Sequence, residues 1–221
     1  NKSVAIGNFA SSGSQGDESI SIGHESATNS QGASSIAIGS QAGLIQGNGS
    51  VAIGRQAGAN AQPGADNTIN IGYQSGFFSQ SSGGISIGYQ AGNTGQQINT
   101  ISIGNNAGEI RQGPRAVSIG DSSGRVSQGV QSVAIGTSAG NNHQGLNAVS
   151  LGYQCGLNTQ GGHGIGIGRT AGCNSQGEYS IGVGYFAGYE FQSINSIAVG
   201  YRAGYSTQGA SAVAIGYQAG F

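Results

Sequence analysis

Eight carboxylates, three histidines and two cysteines are the groups of this 221-residue chain suited to acid–base, nucleophilic or metal chemistry. Each such chemistry needs its members to converge on one place. The acids stand at Asp17, Glu18, Glu25, Asp66, Glu109, Asp121, Glu178 and Glu190, and the histidines at His24, His143 and His163. They fall mostly in different copies of a 16-residue repeat and at different places within it. No Asp recurs copy after copy, as calcium-binding nonapeptide repeats require, and no Gly-x-Gly-x-x-Gly stretch runs into a helical pattern, as a nucleotide loop requires. The expectation is a protein that is not an enzyme, with no cofactor and no metal.

The polar residues that do recur at fixed spacing are amides and phenols. A glutamine closes the third quarter of every complete repeat: Gln15, Gln31, Gln46, Gln62, Gln80, Gln96, Gln112, Gln128, Gln144, Gln160, Gln176, Gln192 and Gln208. Such a column is either a polar binding stripe or an internal amide stack that closes a corner, and stacked β-structure favours the stack, because side-chain amides satisfy one another there. Gly follows the Gln in nine copies, which supports a turn. Tyrosine recurs at another fixed place in Tyr73, Tyr89, Tyr153, Tyr185, Tyr201 and Tyr217, with Tyr189 and Tyr205 close by. These rings form either a candidate binding face for a sugar or a partner, or a ladder in which each ring packs on the next. The two roles can coexist.

The element that must position them is Val213-Ala214-Ile215-Gly216-Tyr217-Gln218-Ala219-Gly220, of which the chain holds fourteen versions. The copies start at Val4, Ile20, Ile36, Val51, Ile69, Ile85, Ile101, Val117, Val133, Val149, Ile165, Ile181, Ile197 and Val213, so the spacing is 16 apart from one 15 and one 18. Numbered from that residue, position 1 is Ile or Val, position 3 is Ile, Val or Leu, and position 2 is only Ala, Ser, Gly or Asn. The alternation predicts a short strand with the Ile/Val pair facing inward. Position 4 is always Gly and position 8 is Gly in twelve copies, which marks a corner. Position 12 is the glutamine. The long copy carries Pro63, and Gln62-Pro63-Gly64-Ala65-Asp66-Asn67 is expected to bulge from a corner.

A fixed short period means a solenoid, here an all-β parallel β-solenoid, or β-roll, of about fourteen 16-residue coils. The expected organisation is a single repeat domain over 1–221, a rod of roughly 65 Å at about 4.8 Å per coil. Its end at 179–221 is aromatic-rich, holding nine of the fifteen aromatics. Charged residues make up 7% of the chain, against roughly a quarter in ordinary proteins. With a net charge of −1 there is no basic footprint for nucleic acid, and no apolar run is long enough to span a bilayer. A thin roll of this kind buries little against the cost of ordering its backbone, so a second face is expected to pack on a neighbour. The small residues at positions 2 and 16, taken to point away from the core, are the expected subunit interface.

The chain has no Met, and it starts and stops inside a repeat without polar caps; it is expected to be a section of something longer or a protomer that stacks end to end. Cys155 and Cys173 lie in adjacent coils, either bridged or as two free, alanine-like thiols.

Ser50-Val51-Ala52-Ile53-Gly54 and Ser132-Val133-Ala134-Ile135-Gly136 resemble the head repeats of the YadA-like trimeric autotransporter adhesins. The Gly-Tyr-Gln-Ala-Gly variant is similar to repeats in fibre proteins of large viruses and phages. The resemblance covers the whole chain but departs from the family in using 16 residues, with an added Gln column, in place of the family's usual 14. It implies a left-handed roll, a homotrimer, and attachment to a host surface glycan or protein. The expected function is a structural and adhesive fibre or spike segment, extracellular, on a cell surface or virion. A self-assembling filament or sheath subunit and an ice-binding protein are the alternatives.

Overall fold

The computed structural model describes residues 2–220, and its strands follow the repeat, one short strand at positions 1–3 of every copy. The chain is an all-β parallel solenoid with no helix among the described residues. By internal contacts it divides into two compact units, Asn1–Arg111 and Gln112–Phe221. In the first, the strands Val4–Ile6, Ile20–Ile22, Ile36–Ile38, Val51–Ile53, Ile69–Ile71, Ile85–Ile87 and Ile101–Ile103 stack in that order. In the second, Val117–Ile119, Val133–Ile135, Val149–Leu151, Ile165–Ile167, Ile181–Val183, Ile197–Val199 and Val213–Ile215 do the same. Pairing is parallel and position on position: Ile85 lies opposite Ile101, and Ala134 opposite Ser150.

Each coil returns along a second, shorter side at positions 10–12. Val126–Gln128 pairs in parallel with Asn142–Gln144, and bridges link Gln144 to Gln160 and Gln160 to Gln176. In the first unit the return side is pinned by bridges from Ile45 to Asn60, Asn60 to Phe78 and Phe78 to Thr94.

The corners are built from left-handed backbone, much of it outside glycine. Gln56, Gln90 and Gln154 at position 6 have φ of 58°, 49° and 51°, and Asn67 and Asn147 at position 15 have 57° and 53°. Asn, Gln and Ser are short or flexible enough to bear this conformation, which costs on the order of 1 kcal/mol or more per residue. It persists because it points the corner N–H along the stack to a partner in the next coil. Gln154 N donates to Thr137 O (2.9 Å), Gly140 N to Cys155 O (2.8 Å) and Asn147 N to Val130 O (2.8 Å). Position 4 has a stricter requirement. Its φ lies between 121° and 133°, and a Cβ on Gly136 would stand 2.5 Å from the carbonyl oxygen of Gly152 in the next coil. Only glycine fits there.

The interior is the reverse of the expectation from alternation. Position 2 points inward: Ala37, Ala134, Ser118 and Ser150 are fully buried, while Ile53, Ile103, Leu151 and Ile167 at position 3 are 36–41% exposed. Position 16 is interior too, with Ser35, Ser132 and Ser180 at 0%. The predicted Ile/Val core and the predicted small-residue subunit interface are therefore both corrected. The reason is width. The two sides of a coil are so close that the Gln144 side chain, rooted on the return side, reaches the Val133 carbonyl on the opposite strand (2.8 Å). Such a gap admits Ala, Ser, Gly, Cys and one extended amide per rung, and no pair of β-branched side chains. Alanines supply the apolar part of the core, as in Ala37, Ala42, Ala52 and Ala57 in the first unit and Ala187, Ala198 and Ala203 in the second.

The insertion after Val51 leaves the coil at a corner as expected, with Gln62, Pro63 and Gly64 exposed. It carries Gln62 out of the glutamine column, so that its Oε1 accepts from Ser81 Oγ (3.1 Å) at the surface. Asn70, the one amide at position 2 and 2% exposed, fills the interior beside the glycines at Gly58 and Gly76. The polar volume lost from one column is supplied from another.

Candidate functional site

The glutamine column is an internal staple. Eleven of the thirteen glutamines are buried, Gln15 is half-buried and Gln62 is exposed. The Nε2 atoms of Gln15, Gln31, Gln46, Gln128, Gln144, Gln160, Gln176, Gln192 and Gln208 each donate to the position-1 carbonyl of their own coil, at 2.8–2.9 Å. Four glutamines donate to the serine hydroxyl at position 2 of the following coil: Gln80 to Ser86 (3.2 Å), Gln96 to Ser102 (2.6 Å), Gln112 to Ser118 (3.1 Å) and Gln144 to Ser150 (3.3 Å). Along the stack, Gln112 donates to Gln128 (2.9 Å), Gln128 to Gln144 (3.1 Å), Gln144 to Gln160 (3.1 Å) and Gln160 to Gln176 (3.0 Å). In the first unit the same link joins Gln80 to Gln96 (3.1 Å). The eleven buried amides make their bonds inside and are covered from any ligand at the surface, with the Oε1 atoms of Gln46, Gln80 and Gln192 buried without a partner.

A second amide ladder lies outside and was missed by sequence reasoning. At position 6 of the first unit, Gln56 donates to Gln41 (2.9 Å), Gln74 to Gln56 (2.9 Å) and Gln90 to Gln74 (3.0 Å), and the row ends on the Glu25 carboxylate, which accepts from Gln41 (2.8 Å). The signal was available: Gln recurs at position 6 in Gln41, Gln56, Gln74, Gln90, Gln154 and Gln218.

The tyrosines at position 5 stack ring on ring. In the first unit Arg55 lies over Tyr73 (5.8 Å) and Tyr73 stacks on Tyr89 (5.3 Å, 19° between planes). In the second, Arg169 lies between Tyr153 (5.6 Å) and Tyr185 (5.5 Å). The pile continues from Tyr185 to Tyr201 (5.4 Å, 5°) and from Tyr201 to Tyr217 (5.1 Å, 7°). Beside it, Tyr189 stacks on Tyr205 (5.1 Å), Phe186 meets both edge-on, and the Arg202 guanidinium sits over Phe186, Tyr201 and Tyr205. His163 and Tyr179 form a separate stack at another corner (4.8 Å). Stacking covers the faces of Tyr73, Tyr185 and Tyr201 and leaves their edges and hydroxyls outward, so the middle rings of each pile do not offer their faces as platforms for sugars.

The Ile/Val positions form an exposed apolar feature. In each unit positions 1 and 3 make two outward columns on the parallel sheet, and no residue at either position is charged.

Cys155 and Cys173 are both buried free thiols. Cys155 Sγ donates to Ala171 O (3.2 Å). Burial pushes the Cys155 thiol up to about 12 and the Cys173 thiol up to about 11, so neither is a nucleophile near neutral pH. Among the described residues no group of three His, Cys, Asp or Glu side chains could hold a metal ion, and no helix could cross a membrane. At the surface His24 Nδ1 lies 3.8 Å from Glu25 Oε2, beside the end of the outer amide ladder. No family model matches the chain, and no curated protein or solved structure matches it either.

Proposed function

We propose that this solenoid is a non-catalytic structural segment of an extracellular fibre, on a cell surface or virion. Copies pack side by side through the Ile/Val face, and the tyrosine row is turned outward for attachment. The observation that carries this reading is the pair of uncharged aliphatic columns on the outside of the coil. Contiguous apolar surface of that extent marks an interaction site on a soluble protein. With side chains a third or more exposed at position 3 and somewhat less at position 1, the seven rungs of one unit present on the order of 700 Å², close to what one partner contributes to a standard interface. The occupant that fits is a second copy. Its columns have the same rise per coil, so the methyl rows of one face seat in the furrows of the other along their whole length. The Ser-Val-Ala-Ile-Gly repeats, similar to those of trimeric adhesin heads, support three chains in the assembly.

Light scattering on the whole chain tests the proposal. The expected result is a discrete oligomer that falls to monomer in the Ile103→Asp/Leu151→Asp variant while its circular dichroism is unchanged. A monomeric wild-type chain overturns it. Activity of that monomer against ice growth would then assign the same flat face to ice.

A further inference from the structure

In Gln112–Phe221, Tyr153, Arg169, Tyr185, Tyr201 and Tyr217 hold the same place in five consecutive coils. Their planar groups face one another at 5.1–5.6 Å. Stacking uses the π faces and leaves the in-plane atoms free: the phenolic hydroxyls and the outer N–H groups of the guanidinium, a planar fork matched to carboxylate and sulfate oxygens. Arg202, at position 6 two coils beyond Arg169, is held over Phe186 (5.9 Å), Tyr201 (5.6 Å) and Tyr205 (5.3 Å). Positions 5 and 6 carry no carboxylate in any coil from Val149 onward, so the strip holds two cations and no acid.

We propose that this strip binds an extended acidic polysaccharide, laid along the solenoid with its acidic groups on Arg169 and Arg202 and its hydroxyls on the tyrosine edges. The proposal rests on the reading of the tyrosine row as the attachment surface. Three features select this ligand. The rings hide their faces, so a neutral sugar gains no stacking on the middle of the pile, while an anion gains a charge-assisted bond to each guanidinium. The two guanidinium groups are two coils apart, about 10 Å along the axis, which suits a chain with one acidic group on every second sugar. The hydroxyl of Tyr185 falls in the one intervening coil, where such a chain carries neutral hydroxyls, and that of Tyr201 lies beside Arg202 in its own coil. Stacking also fixes both arginines before any ligand arrives, which lowers the ordering cost of binding.

Titration of the whole chain with hyaluronan fragments, dextran sulfate and unmodified dextran tests it. The expected result is binding of one or both acidic chains and not of dextran, weakening with added salt. Carboxylate-only or sulfate-only binding both uphold the site and tell which anion it takes. Arg169→Gln/Arg202→Gln should weaken binding by about tenfold or more, and Tyr201→Phe should weaken it less. Circular dichroism and light scattering of the variants should match wild type. Because that mass is set at the Ile/Val face, a failure of the glycan site is distinguishable from a failure of the side-by-side packing. Equal binding of dextran, no binding of either acidic chain, or an unaffected double variant overturns the proposal.

Discussion

The Cys155 sulfur occupies the space of an absent side chain: a Cβ on Gly166, at position 2 of the next coil, would stand 2.6 Å from it. Elsewhere the same two positions are both alanine, as in Ala187 and Ala198 of one core cluster. A larger atom in one column is met by a smaller residue in the other. Gly166→Ala should therefore cost about 2 kcal/mol, and the same substitution in a Cys155→Ala background at least about 1 kcal/mol less. Chemical denaturation of the single and double variants reads the coupling directly, and additive effects would refute the compensation.

The interior glutamines should be intolerant of an apolar replacement of equal size. Gln144→Leu takes one donor each from the Val133 and Ala148 carbonyls and from Gln160 Oε1, and removes an acceptor of Gln128 Nε2, so a loss of about 3 kcal/mol or more is expected in urea unfolding. Gln62→Leu, at the exposed insertion, should change stability by no more than about 0.5 kcal/mol.

Position 4 separates steric from conformational cost. Gly136→Ala sets a Cβ against the Gly152 carbonyl as well as forcing φ to 123°, and should cost more than about 4 kcal/mol or prevent folding. Gly216→Ala meets no atom within 4 Å and carries only the strain of φ 121°, about 1–3 kcal/mol. Thermal melts of the two variants should rank them in that order.

The two thiols should be silent in the native protein and should set an alkaline limit. Both stay protonated in the fold up to about 12 and about 11, whereas the unfolded chain loses those protons near 9.0. Between these values the unfolded state binds fewer protons, so stability is intact below pH 9.0 and falls as the pH rises from there towards 12. Cys155→Ala/Cys173→Ala should flatten that part of the profile, and a thiol reagent at pH 8 should react only after denaturant is added. Fast labelling of the native chain would contradict the burial.

The sequence makes the period, the strand at positions 1–3, the glycine corners and the place of the amides readable, because each is a constraint repeated in every coil. It does not make the direction of the strand readable, because alternation gives two parities and hydrophobicity chooses the wrong one. The clue lay in which columns admit only small residues. Position 2 admits nothing larger than Asn70, and position 7 nothing larger than Cys155, while positions 1 and 3 exchange Ile, Val and Leu freely. Strict smallness marks the confined side of a strand. The Arg169 and Arg202 contacts escaped for another reason: they depend on side chains meeting between coils at positions where most copies carry neither residue.

The common spacing of donors and acceptors has a consequence for how such a chain changes over generations. Val117, Ser118 and Ile119 face Val133, Ala134 and Ile135, and these in turn face Val149, Ser150 and Leu151. Excising residues 133–148 would bring the first set against the third with every class of contact preserved. Unequal recombination between copies of the gene therefore yields folded products whenever whole repeats are gained or lost. Slippage by a fraction of a repeat is found in two copies, as the insertion at Pro63 and the single residue missing between Gly43 and Gln46, both away from the strands at positions 1–3. Length is a heritable variable here, adjusted in steps of one coil.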